Sequence, residues 1–109
     1  MELTPDTEKK IQQLQVLEQN LQALQAQRQN LQVQLSEIDT ALEELGQTEK
    51  AYKIVSNIMV ASTIPKLKSE LESRKEIVEL RIKTVEKQEK SMKEKASSLQ
   101  EDVLQHIKQ

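Results

Sequence analysis

The sequence predicts a mainly α fold: a long antiparallel coiled-coil hairpin with a short β-hairpin at its centre. Three observations predict it. The 109-residue chain has one Gly and two Pro, so little in it breaks a helix. Apolar residues step by three and four through both halves, the spacing of a coiled-coil seam. Residues 51–61, near the midpoint, depart from that spacing and hold the sole tyrosine, Tyr52. The expected organisation is one domain over 1–109, with helix 5–45, β-hairpin 51–61 and helix 64–107. Disorder is the competing reading of a chain that is 31% charged, and the regular spacing argues against it.

The first helix opens at Thr4-Pro5-Asp6. Thr4 can cap, Pro5 suits the first turn, and Asp6 and Glu8 suit the positive end of the helix dipole. Its seam runs Leu14, Leu17, Leu21, Leu24, Leu31, Leu35, Ile38, Leu42, Leu45, with Arg28 the one interruption. The other faces are mostly glutamine, which reads as a solvated surface. Gly46, the only glycine, follows the last seam residue, where a left-handed cap would stop the helix.

Gln47–Lys50 is a polar connector. Tyr52–Val55 and Ile58–Ala61 are two β-branched-rich runs around Ser56-Asn57, the pattern of a two-residue β-hairpin. Asn tolerates positive φ better than Ser, so the turn type stays open. The competing reading of 51–61 is a buried helix or an irregular loop. An isolated two-stranded hairpin is marginal in water. Its open edges and apolar side chains (Tyr52, Ile54, Val55, Ile58, Met59, Val60) therefore call for strands from other subunits.

Ser62-Thr63-Ile64-Pro65 restarts a helix by the same capping logic. Its seam is thinner: Leu67, Leu71, Val78, Ile82, Val85, Met92, Ala96, Leu99, Val103. Lys75 and Glu89 break it, and these breaks are expected to loosen the arm. The outer face carries Glu79–Lys83, Glu86–Lys90 and Glu89–Lys93, each adding about 0.2–0.5 kcal/mol. Mixed signs make this a solvated face rather than a nucleic-acid site.

Two helices of about 40 residues are each about 60 Å long at 1.5 Å per residue. A tight connection folds the second back on the first. That sets Leu45 beside Leu67, Ile38 near Arg74, Leu31 near Arg81 and Leu14 near Leu99, and brings both termini to one tip. Leu3, Ile11, Val16, Leu17, Leu99, Val103, Leu104 and Ile107 gather there. Val16 and Leu104 fall off the seams and Leu3 precedes the helix, so some apolar groups stay unburied. Such patches mark binding surfaces; frayed ends with scattered aliphatics are the plainer reading.

Several function classes find no support. The absence of cysteine removes disulfides and thiolate metal sites. A net charge of −2 does not suggest a nucleic-acid partner. The first residues lack a basic segment followed by an apolar core, so no signal peptide is expected. No apolar run approaches the roughly 20 residues that span a bilayer. There is no Gly-rich phosphate loop, and His106 is the only histidine, so no cofactor, no metal and no enzymatic activity are expected.

Three segments together resemble the beta-class prefoldin subunits, nearest to archaeal members. Ala51-Tyr52-Lys53-Ile54-Val55-Ser56-Asn57-Ile58-Met59-Val60 looks like that family's hairpin segment. Glu79-Leu80-Arg81-Ile82-Lys83-Thr84-Val85-Glu86-Lys87-Gln88-Glu89 looks like its second-helix signature. Ala41-Leu42-Glu43-Glu44-Leu45 matches the end of its first helix. Ser56 departs from the pattern, which commonly has Gly before Asn. A single hairpin resembles the beta class rather than the alpha class, which carries a second one. The resemblance implies a cytoplasmic hexamer of two alpha and four beta subunits whose hairpins build a β-barrel. It implies coiled-coil tips that hold unfolded proteins without ATP and pass them to a group II chaperonin. The alternative from another class is a coiled-coil scaffold joining specific partners.

Overall fold

The computed structural model describes residues 4–108. The chain runs α1 (Pro5–Leu45), β1 (Ala51–Val55), β2 (Ile58–Ser62) and α2 (Ile64–Lys108). Thr4 caps α1 through its side chain and its backbone. Its hydroxyl oxygen accepts from Thr7 N at 3.2 Å, and its carbonyl accepts from Glu8 N at 3.0 Å. Thr63 caps α2 in the same way, accepting from Lys66 N at its hydroxyl (3.4 Å) and from Leu67 N at its carbonyl (3.1 Å). Pro65 sits in the first turn, where its missing N–H costs no helix bond.

The end of α1 differs from expectation. No glycine has positive φ, so Gly46 forms no left-handed cap. Gly46 N instead donates to Glu43 O at 3.1 Å and Leu42 O at 3.3 Å, and Gln47 N donates to Glu44 O at 3.0 Å. Tight bonds three residues back take up the last carbonyls, so a left-handed residue is not required.

β1 and β2 pair antiparallel from Ala51 opposite Ser62 to Val55 opposite Ile58, one residue beyond each predicted run. Ser56 has φ 59°, and Asn57 is not in the positive-φ region. Positive φ at only the first central position is the type II′ pattern, whose usual first residue is Gly. Ser therefore holds a conformation for which its Cβ is poorly suited.

The chain groups into two compact units. One is Asn30–Ile82, which includes the hairpin; the other joins the residues up to Gln29 to those from Lys83 onward. In the hairpin unit Ile38, Val78 and Ile82 are buried together, with Leu31, Leu35, Leu42 and Leu71 packed around them. Ile38 is buried with Val78 and lines one groove with it and with Arg74, the residue expected near it. Lys75, read from sequence as a break, reaches Asp39 at 2.8 Å on the flank of this core.

In the other unit Val85 and Val103 are buried, and Leu14, Leu17, Leu21, Leu24, Met92, Ala96 and Leu99 are half-buried. Two polar side chains are buried with them. Thr7 shares a 2.8 Å hydroxyl–hydroxyl bond with Thr4. Glu89, 5% exposed, accepts from Arg28 Nε at 2.7 Å. Arg28, the interruption of the first seam, and Glu89, one of the two in the second, are each other's partner. Glu89, read from sequence as a break in the seam, is thus closed into an ion pair. Among the described residues no helix is long and apolar enough to cross a membrane.

Candidate functional site

Alternation along the strands divides the hairpin into two faces, with cross-strand partners sharing a face. Tyr52, Ile54, Met59 and Ala61 make one; Ala51, Lys53, Val55, Ile58, Val60 and Ser62 make the other. Ala51 is buried, and Lys53 Nζ reaches Glu70 Oε2 on α2 at 3.1 Å, which ties the base of the second face down. Beyond that anchor the ribbon is open. Tyr52, Ile54, Val55, Ile58, Met59 and Val60 are all exposed, Ile54 at 70%. The sheet has only two strands, so each has one outer edge of unpaired backbone groups. A groove of about 560 Å³ lies against the hairpin, lined in part by Leu45, Leu67, Leu71, Tyr52 and Ile54.

The helix ends supply the second surface. Leu3 lies outside the described residues. Val16 is 54% and Leu104 49% exposed, as their off-seam positions predict. Ile11, Leu17, Leu99 and Ile107 are half-buried. Val103 is 8% exposed, so it fills the seam and is not part of an open surface. Val16, Leu17 and Leu99 come together with Lys9, Gln12 and Gln13 to line an open groove of about 530 Å³. Ile11, Leu104 and Ile107 do not line it.

Other features escaped the sequence reading. Thr7 occupies a seam position one step before Ile11, but its polar type hid its burial. Val33, Ile77 and Leu80 are exposed aliphatics in the hairpin unit, Leu80 at 63%. The off-seam test that found Val16 and Leu104 would have found them too. The groove beside Arg28 and Glu89 mixes Glu86 and Glu94 with Lys90 and Lys93, so it presents no field of one sign. Asp39 holds the Lys75 ammonium above the ordinary lysine value of 10.5, first through its hydrogen bond and then through its charge. His106 Nδ1 lies 2.8 Å from the Asp102 carbonyl oxygen, one turn back on α2. Among the described residues no group of three or more His, Cys, Asp or Glu could hold a metal ion.

Comparison with known proteins places this architecture. The family profile described as "Prefoldin subunit" matches residues 8–109. The prefoldin subunit beta of Archaeoglobus fulgidus is 37% identical over 86 residues, covering 76% of this chain and 74% of that protein. That of Sulfurisphaera tokodaii is 33% identical over 85 residues, covering 75% and 68%. The crystal structure of the prefoldin beta subunit from a Thermococcus strain superposes with a TM-score of 0.87 at 30% identity, covering 94% of this chain and 92% of that one.

Proposed function

The chain belongs to the prefoldin family and is a chaperone subunit that assembles with other subunits of that family; from this premise we propose that it is an ATP-independent holdase. The observation that carries the reading is the open groove of Val16, Leu17 and Leu99, with exposed Leu104 in the same unit. Apolar side chains of a non-native chain bury surface there, at roughly 25 cal/mol per Å². Each contact is small, so single grooves bind weakly and several on one assembly multiply the effect. The whole chain acts as one prefoldin-type domain with two tasks. Tyr52, Ile54, Val55, Ile58, Met59 and Val60 join the hairpins of partner subunits in a barrel, in a hexamer of two alpha and four beta chains. Ile11, Val16, Leu17, Leu99, Leu104 and Ile107 serve the client side, with Leu3 beside them and Val103 holding the seam beneath. The complex works in the cytoplasm and hands its client to a group II chaperonin, with no bond made or broken.

The test is light scattering from a chemically denatured protein diluted into nucleotide-free buffer. The assembled complex should suppress scattering. A Val16→Ser, Leu99→Ser, Leu104→Ser variant should lose most of that suppression while keeping the size of the complex. Undiminished suppression by the variant sinks the assignment to this surface.

A further inference from the structure

Among the groups that line the groove beside Val16, one is ionisable. The floor is Val16, Leu17 and Leu99, the wall is Gln12 and Gln13, and the charge is Lys9. Lys10, its chain neighbour, is engaged with Asp102 at 3.7 Å. Lys9 has no carboxylate partner among the described residues. Asp6 and Glu8, in the first turn of α1, do not line the groove. We propose, resting on the holdase reading above, that this groove takes an extended apolar segment bearing an acidic residue at one end, and that it discriminates against segments with basic ends.

Three chemical features lead to that occupant. A non-native segment offers backbone N–H and C=O groups along with its side chains, and covering them without partners costs free energy. A carboxamide both donates and accepts, so Gln12 and Gln13 can satisfy either backbone group whatever the sequence. Sequence tolerance therefore comes from the glutamines and affinity from the three aliphatics. Lys9 adds the one directional preference. An ammonium only donates and carries a full positive charge, so it attracts a carboxylate and repels another cation. An exposed ion pair is worth about a two- to five-fold difference in affinity, which sets the expected discrimination.

The experiment uses the full chain, isotopically labelled, titrated with three peptides that share one Leu/Val core and end in Glu, Ser or Lys. Backbone amide shifts report the weak binding and its place. The expected order is Glu, then Ser, then Lys, with about two- to five-fold between Glu and Ser and a wider gap between the extremes. The largest shifts should fall at Gln12, Gln13, Val16, Leu17 and Leu99. Lys9→Glu should reverse the order, and high salt should collapse it. An order unchanged by Lys9→Glu, or shifts centred away from the groove, overturns the inference. The aggregation assay separates the two readings. Suppression without a charge order removes this inference and leaves the holdase. A charge order without suppression removes the holdase and leaves the groove's selectivity.

Discussion

Arg28 and Glu89 stand where a coiled coil ordinarily has leucine. Each was legible as an interruption of its own helix, but neither was legible as the other's partner. Reading one arm at a time shows where a charge falls; only the register between arms shows what it faces. The geometry makes the two ends unequal. The Glu89 side chain is 6% exposed and that of Arg28 30%. Removing Arg28 strands a buried carboxylate, whereas removing Glu89 leaves a guanidinium that can swing its head to water. Arg28→Ala should therefore cost about 3 kcal/mol, the lower end for breaking a buried pair, and Glu89→Ala about 1 kcal/mol less. The double change to Leu should be neutral or stabilising, since an apolar pair needs no desolvation. Urea unfolding followed by circular dichroism measures all three, and equal single-variant costs would contradict the asymmetry. Lys75 and Asp39 are a milder case because both side chains keep much of their exposure. The Lys75 value is raised on folding, so the pair's contribution is fully present below pH 10.5 and is lost as the pH climbs past it. The stability gap between the native chain and Lys75→Gln should narrow over that alkaline window, and a gap that widens there would reverse the sign.

The helices were the most legible elements. Spacing by three and four, the capping residues Thr4 and Thr63 and the position of Pro65 all found their expected places. The turns were less so, because a turn is decided by backbone angles that several residue types can adopt. Gly46 could have taken a left-handed cap and instead ends α1 with a tight right-handed turn. Ser56, less tolerant of positive φ than its neighbour Asn57, is the residue that adopts it. The hairpin's exposed apolar side chains were predicted from two β-branched-rich runs around a polar turn, and Ala51 and Ser62 extend its ladder by one rung. On the proposed reading those faces enter a sheet built with other subunits, where a charge could not follow them. Ile54→Asp should lower the mass of the complex to that of smaller species in light-scattering chromatography. Helix content should stay near native, because α1 and α2 pack without Ile54. A full-sized complex carrying Ile54→Asp would rule out the hairpin as the joining element.

For the whole molecule, the decisive quantity is how many weak surfaces act at once. On the proposed reading, a groove lined by three aliphatic side chains holds a client only briefly, and assembly turns contact into retention. A single-segment peptide should bind the assembled and unassembled chains alike. An unfolded protein with several apolar segments should bind the assembly at least tenfold tighter, within the roughly 10²–10⁴ range that linked sites provide. Equal binding of the long client to both forms, measured by surface-immobilised capture, would refute that account. The exposed apolar groups were largely visible in the order of residues: an open ribbon in the middle and the off-seam aliphatics Val16 and Leu104 toward the ends. Which neighbours near the helix ends turn outward was less visible. Val103 and Leu104 are neighbours in sequence, and helical geometry turns one inward and the other outward.

The ion pair between Arg28 and Glu89 also bears on how the chain is made. Its partners are 61 residues apart in sequence. At roughly 5–20 residues per second, Glu89 is synthesised about 3–12 seconds after Arg28. Throughout that interval the leucine stripe of the first helix is on a nascent chain with no second helix to cover it. On the proposed holdase reading, a subunit that shelters other unfinished proteins thus spends the first seconds of its own existence as an unfinished protein, its apolar stripe offset only by the glutamine-rich remainder of α1.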